Sequence, residues 1–125
     1  MFVDPQVVTI NSVAKSMALV NSEGTKRTYQ TNDKSFTLIV SHQSSVNNAK
    51  SKGLRQRVRT LIRLEQRATV ADPLSAENDY DEMTIQMVID RPEAGFTAQQ
   101  LQYLVAGFEG WLDSTAVTKL FGRES

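Results

Sequence analysis

The turn signals in the first third of this chain lie too close together for anything but antiparallel strands. Residues 6–10 and 16–20 are apolar and β-branched, and Asn21-Ser22-Glu23-Gly24 follows as a turn cluster ending in glycine. Residues 25–31 are threonine-rich and strand-like, Thr31-Asn32-Asp33 turns the chain again, and residues 35–43 (SFTLIVSHQ) form the strongest strand candidate. A parallel crossover needs about a dozen residues between strands, and these connections are far shorter. The spacing predicts an antiparallel meander.

The second half changes character. Residues 44–53 are a polar loop, and residues 70–81, with Pro73 and many Asx and Ser residues, read as a long loop. Residues 82–91 alternate: Met83, Ile85, Met87 and Ile89 share one face, while Thr84, Gln86 and Asp90 share the other, interrupted by Val88. Pro92 ends that strand. Thr97 and Gln100 then have the spacing of a capping box. Leu101, Leu104, Val105, Phe108, Trp111 and Leu112 repeat at helical spacing behind it. Asp113 or Ser114 opens a second short helix bearing Val117, Leu120 and Phe121, and Gly122 suits its C-cap. Strands followed by helices make an α+β chain, in which the sheet needs a cover and the helices offer an apolar face.

Residues 54–69 (LRQRVRTLIRLEQRAT) fit two structures. As a helix, Leu54, Val58, Leu61 and Ile62 share a face. As a strand, Val58, Ile62 and Leu64 point one way with Gln56 and Thr60, and Arg55, Arg57, Arg59, Arg63 and Arg67 all point the other. Pattern alone does not separate the two.

Charge is where function enters. The 125 residues carry 14 basic and 14 acidic side chains, so the formal net charge is zero. The charges are segregated, with Lys50, Lys52 and the five arginines of residues 55–67 on one stretch. Asp72, Glu77, Asp79, Asp81, Glu82, Asp90 and Glu93 dominate the next. A neutral chain built this way can still bind a polyanion locally or pair electrostatically between subunits. On the strand reading the arginines form a stripe roughly 40 Å long at about 3.3 Å per residue. Guanidinium groups bind phosphate bidentately and stack on bases. An ordinary solvated strand face is the competing explanation. On the helical reading a basic amphipathic membrane-surface binder competes instead.

Other chemistry finds little support. There are no cysteines, which removes disulfides, thiolate metal sites and a cysteine nucleophile. The single histidine, His42, has no nucleophile elbow to accompany it, and the glycines form no phosphate loop. The acidic run 77–82 lacks the spacing of a calcium loop. No catalytic residues, metal ligands or cofactor are expected. No apolar run approaches the ~20 residues of a membrane span, and Met1-Phe2-Val3-Asp4-Pro5 lacks the pattern of a secretion signal.

The order of elements, with SHQSSVNNAK at 41–50, RVRTLIRLEQ at 57–66, EMTIQMVI at 82–89 and the terminal helix pair, resembles the coat proteins of single-stranded RNA bacteriophages, the leviviruses. The resemblance spans nearly the whole chain as one domain, 1–125. It implies an N-terminal hairpin (1–23), a five-stranded antiparallel sheet (24–91, with the loop 70–81) and C-terminal helices (96–122). It makes residues 54–69 a strand. It implies an interlocked homodimer through Leu101, Leu104, Val105, Phe108, Trp111 and Leu112, icosahedral assembly into a virion in the bacterial cytoplasm, and inter-dimer contacts at Asp72, Pro73 and Leu74. It further implies packaging of single-stranded RNA and translational repression through an RNA hairpin, with no membrane partner. By strand position, RNA contact falls on Arg55, Arg57, Arg59 and Arg63 and on Thr84 and Gln86. For residues 35–43, hydrophobicity directs Phe36, Leu38 and Val40 toward the helices and leaves Thr37, Ser41 and Gln43 with the RNA. An alignment on SHQSS puts His42 there instead. A small dimeric cellular RNA-binding module that never forms shells is the alternative function.

Overall fold

Residues 56–71 form a strand, and their partner explains why. The computed structural model describes residues 2–46, 56–71, 74 and 78–125. In chain order its elements are β1 (Gln6–Ile10), β2 (Val13–Glu23), β3 (Lys26–Gln30), β4 (Phe36–Val46), β5 (Gln56–Ala71), β6 (Asn78–Pro92), α1 (Ala98–Trp111) and α2 (Ser114–Phe121). β5 pairs antiparallel with β4 in one unbroken register, from Phe36 opposite Gln66 to Val46 opposite Gln56. Leu38 meets Leu64 and Val40 meets Ile62 across the strands. Such apolar cross-strand pairs stabilise a ladder that local helix propensity alone would not select.

The strands follow one another in the single order β1-β2-β3-β4-β5-β6. The expected N-terminal hairpin and antiparallel sheet are both present, joined into one six-stranded sheet because β2 belongs to both. Its first part, residues 13–17, pairs with β1, and its second part, from Ala18 to Glu23, pairs with β3. A register shift between Leu19 and Asn21 lets the strand bend at that junction. Asn11 and Ser12, both at positive φ, form the two-residue turn between β1 and β2. The next turn sits at Gly24-Thr25, with Gly24 at φ 58°, so Asn21, Ser22 and Glu23 are strand rather than turn. The long loop expected at 70–81 is shorter at both ends, since β5 runs to Ala71 and β6 starts at Asn78.

Two compact units divide the chain, residues 1–91 and residues 92–125. In the first, Met17 and Tyr29 are fully buried and cluster with Phe36, and Val8, Ile10, Leu19 and Leu38 pack around them. The Lys15 ammonium lies 5.2 Å from the centroid of the Phe36 ring. The cover over Phe36 and Leu38 therefore comes from the β1–β2 hairpin, where hydrophobicity alone directs them at the helices.

The β3–β4 turn is built on Asp33. Its carboxylate accepts hydrogen bonds from the Ser35 hydroxyl (2.7 Å), the Thr31 hydroxyl (2.7 Å) and the Ser35 backbone N–H (3.1 Å). These bonds, led by the Ser35 hydroxyl, favour the ionised form and hold its pKa down to about 2. A depressed carboxyl pKa adds stability that is present above the ordinary carboxylate range and lost as pH falls through the folded value. Denaturation midpoints of the wild type are expected to drop between pH about 4 and about 2. Asp33→Asn should flatten that limb, and an unchanged acid limb would remove Asp33 as its source.

In the second unit the capping box forms as expected. Thr97 Oγ1 accepts from the Gln100 N–H at 3.2 Å, and the Thr97 N–H donates to Gln100 Oε1 at 2.9 Å. Asp113 caps α2 by accepting from the Ala116 N–H at 2.8 Å. Gly122 is the C-cap at an ordinary φ of −78°, and the left-handed position falls one residue later, on Arg123. Neither helix has a buried residue.

Candidate nucleic-acid interface

Strand alternation and the β4–β5 register fix what shares a face. Thr37 lies opposite Glu65, Ile39 opposite Arg63, Ser41 opposite Leu61, and Gln43 opposite Arg59. Opposed residues point to the same side of a sheet, and residues two apart along a strand do too. Thr37, Ser41 and Gln43 therefore stand on the side of Arg57, Arg59 and Arg63. The other side carries Phe36, Leu38 and Val40 with Ile62 and Leu64. His42 belongs to that apolar side, opposite Thr60, whose hydroxyl is 3.0 Å from His42 Nδ1. The register thus puts Thr37, Ser41 and Gln43 on the side of the arginines and His42 on the opposite side.

Two side-chain contacts extend the arginine side onto β6. Arg57 Nε lies 3.1 Å from Asp90 Oδ1. The Arg67 guanidinium sits 4.3 Å from the centroid of the Tyr80 ring, a cation–π distance. The contacts are ten residues apart on β5 and ten apart on β6, running in opposite directions, so one antiparallel register links them. Alternation from Tyr80 to Asp90 then puts Glu82, Thr84, Gln86 and Val88 on the arginine side. Met83, Ile85, Met87 and Ile89 fall on the apolar side, where Met83 and Ile85 are 65% and 66% exposed in the single chain.

At the middle of the cationic side Ser41, Gln43, Arg59 and Leu61 line a shallow depression of about 190 Å³. It combines a guanidinium, a hydroxyl, an amide and an apolar wall. Nearby, the Gln30 side-chain amide donates to Thr37 Oγ1 at 3.2 Å, fixing two more polar groups on this side. Not every arginine is equally available. Arg63 Nε lies 2.8 Å from Glu65 Oε1, and Arg57 is held by Asp90, whereas Arg59 is exposed and has no ion pair among the described residues.

No protein-family model matches this chain, and no curated protein resembles it significantly in sequence. Solved structures do resemble it. A virus-like particle of bacteriophage AVE019 is similar over 95% of this chain and 93% of that one, with TM-score 0.72 and 14% identity. A virus-like particle of Beihai levi-like virus 21 is similar over 100% and 98%, with TM-score 0.70 and 8% identity. A virus-like particle of Wenzhou levi-like virus 1 is similar over 95% and 96%, with TM-score 0.61 and 12% identity. The chain has a levivirus-type coat-protein fold.

Within this coat-protein fold the nine residues expected to meet RNA separate cleanly. Arg57, Arg59, Arg63, Thr37, Ser41 and Gln43 are brought together by the ladder, and Thr84 and Gln86 join them through the β6 register. Arg55 lies outside the described residues, as do Asp72 and Pro73 of the expected inter-dimer loop. Leu74 is described and is 96% exposed. Of the expected dimer residues, Leu104, Phe108, Trp111 and Leu112 are exposed on the helices, and Leu101 and Val105 are half-buried. Two residues on the cationic side escape the sequence pattern, which places Tyr80 in a loop and gives Asp90 a polar position with no partner. The signal for both is the antiparallel fold-back of β6 on β5, which pairs an aromatic and an acid with arginines at matching distances from the loop.

Proposed function

We propose that this chain is a non-enzymatic capsid subunit that packages single-stranded RNA on the arginine side of its sheet. The observation that carries this reading is the two-sidedness of the β4–β6 surface. One side gathers Arg57, Arg59, Arg63, Thr37, Ser41, Gln43, Thr84 and Gln86. The other side is apolar, and on β6 its Met83 and Ile85 are exposed in one chain. Arginines supply the sequence-independent phosphate attraction. The hydroxyls and amides between them suit base edges and sugar 2′-hydroxyls, and Tyr80, backed by Arg67, offers an exposed ring on which a base can stack. An RNA hairpin with splayed loop bases is the ligand such a surface would bind most tightly, which is the form translational repression would take.

The partner for the apolar side is a second copy. The two compact units then act as one coat-protein domain within an interlocked homodimer. Its helices contribute Leu101, Leu104, Val105, Phe108, Trp111 and Leu112, and the segment at Asp72, Pro73 and Leu74 joins dimers into an icosahedral shell. The particle would assemble in the host cytoplasm and become the virion's capsid. Size-exclusion chromatography with light scattering, on protein expressed alone in bacteria, tests the whole reading. The expected result is a particle of megadalton size whose absorbance at 260 nm exceeds that at 280 nm. A dimer-sized species free of nucleic acid, even when concentrated, would refute shell formation and favour a small dimeric RNA-binding module.

A further inference from the structure

The arginine side carries its own anions. Asp90 holds Arg57 at 3.1 Å, with the two side chains only 15% (arginine) and 33% (aspartate) exposed. Glu65 Oε1 lies 2.8 Å from Arg63 Nε without hydrogen-bond geometry, the arginine side chain 40% and the glutamate 21% exposed. Both carboxylates stand on the face that carries the arginines, and Glu82 joins them by alternation. An evenly cationic stripe would bind any polyanion. This surface instead has about as many described acids as paired arginines. An exposed ion pair would be a weak obstacle. A partly desolvated one is stronger, because each charge loses much of its hydration and depends on its partner.

We propose that Asp90 and Glu65 act as built-in competitors for the RNA phosphates, occupying Arg57 and Arg63 until a correctly placed phosphate displaces them. This rests on the reading of this face as an RNA surface. The consequence is a specificity device rather than a source of affinity. A phosphate that takes Arg57 from Asp90 leaves a carboxylate that must bind a cation, so the exchange releases no net counterion. Arg59, with no such competitor among the described residues, releases one when it meets a phosphate. Loosely fitting RNA is then held mainly through Arg59. RNA that reaches Arg57 and Arg63 in good geometry, with bidentate contacts, gains enough to displace the acids.

Asp90→Asn and Glu65→Gln test the idea, each removing a charge while keeping side-chain shape, with Asp90→Glu as a charge-retaining control. The readout is the affinity of dimers for a fluorescein-labelled oligouridylate, measured by anisotropy across a salt series. Each amide variant is expected to bind this non-specific RNA more tightly at low salt. Each should also steepen the log–log salt dependence by about 0.7, the value for one further phosphate contact on a single strand. Asp90→Glu should match the wild type. If the wild type binds and the amide variants keep its slope, or bind more weakly, the competitor role is overturned while the RNA surface stands. If neither the wild type nor any variant binds, the RNA surface itself is overturned, and this inference with it. Because Asp90 and Glu65 lie on different strands, a folding defect in one variant leaves the other to decide.

Discussion

Replacing Trp111 with alanine should turn a dimer into a monomer at concentrations where the wild type is fully paired. Trp111 is 63% exposed and Phe108 48% exposed in the single chain, and their rings stack with centroids 6.4 Å apart. Leu104 is exposed as well, so α1 presents an aromatic and aliphatic surface that water covers in one copy alone. A 14-residue helix without tertiary packing is marginal in water, and contiguous exposed apolar surface of this kind marks an interaction site. Truncating a tryptophan buried in such an interface costs about 3–5 kcal/mol, a factor of about a hundred to several thousand in a dissociation constant. Sedimentation velocity over a dilution series measures that directly. Lys119→Ala, on the second helix, serves as a surface control expected to leave the equilibrium within a few tenths of a kcal/mol. A tryptophan variant that dimerises as tightly as the wild type would remove the helix face from the interface.

Much of this architecture is legible in the sequence, for identifiable reasons. The capping box at Thr97 and Gln100 is a local motif whose two hydrogen bonds need nothing beyond four residues of chain, and it forms as written. The alternation in residues 82–89 is likewise local, and it separates Thr84 and Gln86 from Met83 and Ile85 correctly. Residues 56–71 are ambiguous as a pattern because their arginines and leucines favour a helix in isolation, and only the ladder to β4 makes them a strand. The double role of β2 is hidden for the same reason, since nothing in residues 13–23 announces that one strand serves two neighbours. Non-local pairing also explains the site. The arginine stripe is legible as a period of two, but its neutralisation by Asp90 depends on a residue 33 positions away. Charge segregation along the chain suggests an exposed cationic surface, whereas the fold brings the acidic half back onto the basic half.

Simultaneous replacement of Arg57, Arg59 and Arg63 by alanine is expected to leave particles, if they assemble, with little nucleic acid. Three guanidinium groups disappear from the middle of the face, yet the Asp90 and Glu65 carboxylates remain on it. The log–log salt slope should fall by only about 0.7, the share of Arg59, because contacts at Arg57 and Arg63 exchange with their own carboxylates, while the loss of RNA exceeds that of Arg59→Ala alone. The single variants divide the effect. Arg59→Ala removes the exposed guanidinium beside Ser41, Gln43 and Leu61, which has no ion pair among the described residues, so it should lower RNA binding and salt slope with little change in stability. Arg57→Ala leaves the partly buried Asp90 carboxylate without this partner, so it should lower the melting temperature as well. The absorbance ratio at 260 and 280 nm of purified particles, read beside their melting temperatures, separates these outcomes. RNA content that survives the triple replacement unchanged would assign packaging to another part of the chain.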